Sequence, residues 1–160
     1  MKMREKKRMG WLRWLGVVLW MAVIFLMSAQ TAGQSGGTSE AIVRWLLRRL
    51  YWGFDGFLPQ RQEALLVIWH TIIRKGAHFA EYAVLAMLIA NALRQYTLPK
   101  RLYWLLPVGI SAVYAISDEI HQYFVPGRAC RILDMGIDTC GAIFGVCVFA
   151  AAVALLRKCR

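Results

Sequence analysis

Five of the nine acidic residues in this chain stand at the ends of apolar segments long enough to cross a membrane. They are Glu81, Asp118, Glu119, Asp134 and Asp138; His78 and His121 accompany them, with Lys75 and Arg128 close by in sequence. A charge at the centre of a spanning helix costs about 2.5–3.5 kcal/mol on insertion scales. Several charges at matching depth are expected to pair with one another. That restricts the chain to folds that bring these segment ends together.

The segments run from about Trp11 to Ser28, Lys75 to Leu93, Leu102 to Phe124 and Asp134 to Leu156. Hydrophobic residues make up 59% of the chain and charged residues 18%, which favours a membrane class over a soluble one. The fold expected is all-α: an integral membrane bundle of four transmembrane helices. It forms a single domain over residues 11–156, with a basic cytoplasmic N-terminus (1–10) and a basic cytoplasmic tail (157–160). The first segment is slightly short, and a basic start with an apolar middle also suits a signal peptide. Met27 before Ala29 and Gln30 before Ala32 spoil the small-x-small cleavage pattern, so an uncleaved helix is the better reading.

Between the first two segments, TAGQSGGTS reads as a flexible stretch, with Ser39 placed to cap a helix from Glu40. Ile42, Val43, Leu46, Leu47 and Leu50 recur at helical spacing, and Arg44 and Arg48 fall elsewhere on the wheel. This predicts an amphipathic helix lying in the membrane interface, with ordinary packing against the bundle as the plainer alternative. Gly53, Gly56 and Pro59 end it, and a second helical pattern from Gln60 to Arg74 leads toward segment two.

Basic residues set the orientation. Lys2, Arg4, Lys6, Lys7, Arg8, Arg94, Lys100, Arg101, Arg157, Lys158 and Arg160 fall in short stretches on one side when both termini are cytoplasmic. The longer external connections hold fewer. The net charge of +11 therefore reads as membrane anchoring, and nucleic-acid binding is set aside because an apolar chain offers little soluble basic surface. No CxxC pair exists; Cys140 and Cys147 are expected as buried thiols inside an apolar run.

With that orientation, Lys75, His78 and Glu81 share one face near the outer end of segment two. Asp118 and Gln122 share a face of segment three with Tyr114; Asp134, Asp138, Gly141 and Gly145 share one of segment four. The glycines allow close helix approach. These spacings predict an outward-facing polar pocket roofed by the loop from Pro126 to Leu133. An ion-pair network that only locks the bundle, with the five carboxylates facing Arg74, Lys75, Arg128 and Arg131, is the plainer alternative, against which stands the poor stabilisation that buried ion pairs give. The His78-x-x-Glu81 and Asp118-x-x-His121 pairs have the spacing of bundle metal sites. Nearby cations argue against a metal, so neither metal nor cofactor is expected.

RKGAHFAEYAVLAML (residues 74–88), SDEIHQYFVPGRACRILDMGIDTCGAIFG (residues 117–145) and SAQ followed by Ser35 and Ser39 resemble the VanZ-like family of small polytopic membrane proteins. The resemblance implies site roles for Lys75, His78, Glu81, Tyr82, Asp118, Glu119, Gln122, Arg128, Asp134, Asp138 and Gly141. The family's namesake is associated with low-level resistance to the glycopeptide teicoplanin, which is acylated and acts at the outer membrane face. Two functions stay open. One is a non-catalytic envelope protein whose partners are membrane lipid and either a lipid-linked wall precursor or an acylated glycopeptide, with Lys75 and Arg128 holding phosphate or carboxylate. The other is a membrane-embedded hydrolase or transferase using His78, Glu81, Asp118 or Glu119. Proton-coupled transport fits less well, because the inner halves of the helices are nearly bare of ionisable groups. The sequence fixes no oligomeric state.

Overall fold

The computed structural model describes residues 2–30, 32–128 and 130–159, with side chains for 10–30, 40–128 and 130–159. Five helices form, and there is no strand among the described residues: α1 (Lys2–Ser28), α2 (Ala32–Leu50), α3 (Pro59–Leu93), α4 (Lys100–Tyr123) and α5 (Ile132–Lys158). A single 3-10 turn, Phe54–Gly56, joins α2 to α3. Three helices are long and apolar enough to cross a membrane: α1 from Gly10, α3 and α5. Helix α4 has 24 residues, with Lys100 and Arg101 at one end and Asp118 and Glu119 near the other.

The outer surface of the bundle is apolar. Val18, Leu19, Leu26, Val113, Phe144 and Leu156 are all exposed, while Asp118, Glu119 and Asp138 are buried. This inversion of the soluble pattern suits a lipid surround.

Helix α3 is the hub and packs on each of the other four helices. Its thirty-five residues would extend about 52 Å, against about 30 Å of hydrocarbon in a bilayer. The pattern expected from Gln60 to Arg74 runs on into segment two as the first half of one continuous helix. Pro59 starts it, where the missing N–H costs nothing. Helix α2 doubles back along this half: Val43, Leu47 and Phe54 bury against Leu65, Leu66, Trp69 and Ile73. Gly53 makes the reversal in the left-handed region at φ 75°, which favours glycine.

The backbone of α2 is helical from Ala32, so the expected flexible stretch is largely helix and Ser39 falls inside it. Its capping side chain lies outside the described residues. Cys140 and Cys147 are exposed rather than buried. A helix apolar on all sides gives no sign of which face meets protein and which meets lipid, and both thiols took the lipid side.

The tightest contact lies between α3 and α5. A Cβ added at Gly141 would overlap the carbonyl of Phe79, and one at Gly145 the carbonyl of Ala83. Ala86, Ala142 and Val146 continue the small-residue seam. On the opposite side of α3, Val17 and Ile24 of α1 bury against Tyr82, Leu85 and Ile89. Gly141→Val or Gly145→Val is expected to destabilise the bundle by about 1–3 kcal/mol or more through overpacking, read as a lower thermal midpoint in detergent. Gly136→Ala, with nothing within 4 Å, should leave the midpoint unchanged or slightly raised.

Candidate functional site

The chain reverses between α4 and α5 through Val125-Pro126-Gly127-Arg128. Pro126 suits the second position of the turn, and Gly127, at φ 79°, the third, as in a type II turn. The Arg128 N–H closes it on the Val125 carbonyl at 3.1 Å. This turn aims the Arg128 side chain back at α1. Its Nε donates to the Gln30 carbonyl at 2.9 Å and its Nη1 to Gln122 Oε1 at 3.3 Å.

Beneath Arg128, α1 and α4 are joined by polar bonds. Ser28 Oγ donates to Asp118 Oδ2 at 2.7 Å, and Gln122 Nε2, one turn along α4, donates to the same oxygen at 2.9 Å. Tyr114 OH reaches the Met21 carbonyl at 2.7 Å, and Trp20 Nε1 ties α1 to the Glu81 carbonyl of α3 at 2.9 Å. His121 does not enter the polar group; its ring stacks on Phe25 with centroids 4.4 Å apart.

The α5 side is held differently. Glu119 Oε2 accepts the backbone N–H of Arg131 at 2.8 Å, satisfying a donor at the start of α5 and placing negative charge at the helix N-terminus. Lys75 Nζ pairs with Asp134 Oδ1 at 2.7 Å, the one short ion pair among the five expected carboxylates within the described residues. His78 Nδ1 stands 3.8 Å from Asp138 Oδ1, too long for a hydrogen bond and an ion pair only when the imidazole is protonated. The expected charge pairing is therefore partial: hydroxyl, amide and backbone donors serve Asp118 and Glu119 where cations were expected.

A set of polar atoms inside the bundle makes no hydrogen bond among the described residues: both carboxyl oxygens of Asp138, Asp118 Oδ1, His78 Nδ1 and Tyr82 OH. Tyr82 and Asp138 are 0% exposed. Asp118, Asp138 and Glu81 all lie within electrostatic reach of the Tyr82 hydroxyl. An unsatisfied buried polar group costs about 1–3 kcal/mol, and such groups concentrate where a protein binds or reacts.

Beside this cluster opens a cleft of about 440 Å³, a volume within the range of small-molecule sites. Met27, Ser28, Gln30, Ile42, Ile73 and Ala77 line it together with His70, Arg74, His78, Glu81 and Arg128. Of the residues anticipated from sequence, His78, Glu81 and Arg128 reach the cleft. Asp118 and Gln122 stand behind Ser28 and Arg128. Tyr82 and Asp138 lie in the bundle interior, and Lys75, Asp134 and Glu119 tie down α5. Ser28, Gln30 and His70 were missed, and Arg74 entered only as a counter-charge; the SAQ motif at the end of α1 was the available signal for the first two. Among the described residues no group of three His, Cys, Asp or Glu is arranged to hold a metal ion. Burial first, and Arg74 second, press the Arg128 guanidinium below its ordinary pKa. It remains charged, since arginine does not deprotonate in proteins.

The profile of the VanZ/LLP1 family matches residues 13–155, from the first turns of the α1 span to the end of α5. The chain belongs to the VanZ/LLP1 family. No curated protein and no solved structure matches it significantly. In this VanZ-like chain the family stretch takes in every residue of the cleft and of the buried cluster.

Ser28→Ala removes the hydroxyl donor from the Asp118 carboxylate and is expected to cost about 1–3 kcal/mol of unfolding free energy in mixed micelles. Ser28→Thr keeps the donor and should recover most of it. Equal stability of Ser28→Ala and the parent chain would show that Asp118 does not depend on α1.

Proposed function

We propose that this VanZ-like chain is a cell-envelope membrane protein with four spanning helices: α1, the second half of α3, α4 and α5. Both termini are cytoplasmic, and the cleft opens toward the outer leaflet. The placement of basic residues supports this orientation. Helix α4 joins the spans because it packs along both α3 and α5 and buries its own acidic pair. The first half of α3 and helix α2 form a hairpin beyond the outer surface.

In this reading the cleft binds an envelope amphiphile, either an acylated glycopeptide or a lipid-linked wall precursor. The observation that carries it is the mixed wall: Met27, Ile42, Ile73 and Ala77 beside Arg74, His78, Glu81 and Arg128. An acyl chain suits the first group and a polar head the second. A hydrolase or transferase acting on the same class of lipid is the second reading. His78 at the cleft, with Asp138 behind it at 3.8 Å, is the observation that favours it.

The test compares a deletion strain, the parent and a Glu81→Gln strain. Susceptibility is measured to an acylated glycopeptide and to its non-acylated counterpart, and lipids and muropeptides are profiled. Binding predicts that Glu81→Gln matches the deletion strain toward the acylated drug, with unchanged profiles. A lipid or muropeptide species that appears only with the parent protein would support the enzyme instead. Equal susceptibility of all three strains to both drugs would count against drug binding.

A further inference from the structure

The cleft's charges are unevenly matched. Asp118 and Glu119 are hydrogen-bonded to uncharged donors and, although within electrostatic reach of Arg128, make no ion pair with it among the described residues; Asp134 is taken by Lys75. Lys75 is thus committed to α5 and is not the cation of the cleft. That leaves Arg74 and Arg128 on the lining, with Glu81 the single lining carboxylate among the described residues. Among the described residues neither arginine forms an ion pair with a carboxylate. Arg128 is fixed through Nε and Nη1 by Gln30 and Gln122, so its position is set while the two Nη2 protons stay unengaged by described residues. Arg74 is the strongest single charge acting on Arg128, opposed by Asp118, Glu119 and Glu81, and an anion between the two guanidinium groups relieves the repulsion that is left.

We propose that the cleft selects a lipid phosphate, gripped between Arg74 and Arg128, with its hydrocarbon chain lying over Ile42, Ile73 and Met27. The proposal rests on the cleft's reading as an amphiphile site and names its ligand class. A phosphate ester brings about −1 to −2 charge and oxygens pointing in several directions, which suits two guanidinium groups approaching from different helices. A carboxylate offers two oxygens in one plane and matches a single guanidinium. Arg74 comes from the middle of α3 and Arg128 from the Pro-Gly turn, so the phosphate would join the two elements that border the cleft.

The full-length protein in lipid nanodiscs of neutral lipid is titrated with four probes: a long-chain isoprenyl monophosphate, the same isoprenol without phosphate, phosphatidylglycerol and inorganic phosphate. An acylated glycopeptide is run in parallel. Binding is read by thermal shift and by native mass spectrometry. One or both phospholipid-type probes should bind at least about tenfold more tightly than the isoprenol and than inorganic phosphate. Arg74→Gln and Arg128→Gln should each weaken that binding about 10- to 100-fold, the range for loss of a charge-assisted hydrogen bond. Lys75→Gln should not change it. Isoprenol binding as tightly as its phosphate overturns the phosphate assignment while the amphiphile reading stands. Inorganic phosphate binding as tightly as the lipids overturns the lipid assignment. No binding of any lipid or of the glycopeptide defeats the amphiphile reading itself. The probe panel on the parent protein decides among these even if an arginine variant fails to fold.

Discussion

The Asp118 carboxylate is 3% exposed, at the junction of α1 and α4, and much of the molecule's upper half is arranged around it. An acidic group so placed is costly unless hydrogen-bonded. Ser28 supplies one donor and thereby fixes where α1 ends; Gln122 supplies another from one turn further along α4. Gln122 in turn accepts from Arg128, and Arg128 donates to Gln30. One buried carboxylate thus links the end of α1, the end of α4 and the turn leading to α5. The same turn presents a guanidinium to the cleft, so the requirement to satisfy Asp118 also shapes the cleft wall.

Close helix packing makes that arrangement rigid. Gly141 and Gly145 let α5 lie against the backbone of α3, and Glu119 secures the α5 start by accepting the Arg131 N–H. Asp138 sits one helical turn above this seam, with His78 facing it from α3. Asp138 and Tyr82 keep polar atoms without protein partners inside a tightly packed bundle. Apolar side chains would fill that space at lower cost. The retained polarity is therefore more readily explained by binding or chemistry than by stability.

Much of this was legible from spacing. The level shared by Lys75, His78, Asp118, Gln122, Asp134 and Asp138 follows from their positions at segment ends, and the Gly141–Gly145 seam follows from two small residues one turn apart. The pairing of particular groups was not legible. Charge counting pointed to Arg and Lys as partners for Asp118 and Glu119, but a buried carboxylate is satisfied equally by Ser28, Gln122 or a backbone N–H. Hydropathy also could not tell protein-facing from lipid-facing positions on α5, so Cys140 and Cys147 were placed on the wrong side. Whether α2 met lipid or the bundle was left open by the sequence, because an amphipathic helix reads the same whether its apolar face meets lipid or a neighbouring helix; it packs on α3. Arg74 escaped notice as a cleft residue because charge counting set it against the carboxylates, whereas it lines the cleft beside Ile73 and Ala77.

The central claim is that α1 and α4 meet through Ser28 and Asp118 at the level of the cleft. Site-directed cross-linking in native membranes tests it most directly. In a background with the four native cysteines replaced, Ser28→Cys is combined either with Asp118→Cys or with Ile116→Cys, the latter on the exposed face of α4. A short bifunctional thiol reagent should link the first pair efficiently within one chain and leave the second pair unlinked. Linkage of the second pair in preference to the first would place Asp118 away from α1 and contradict the convergence on which the site depends.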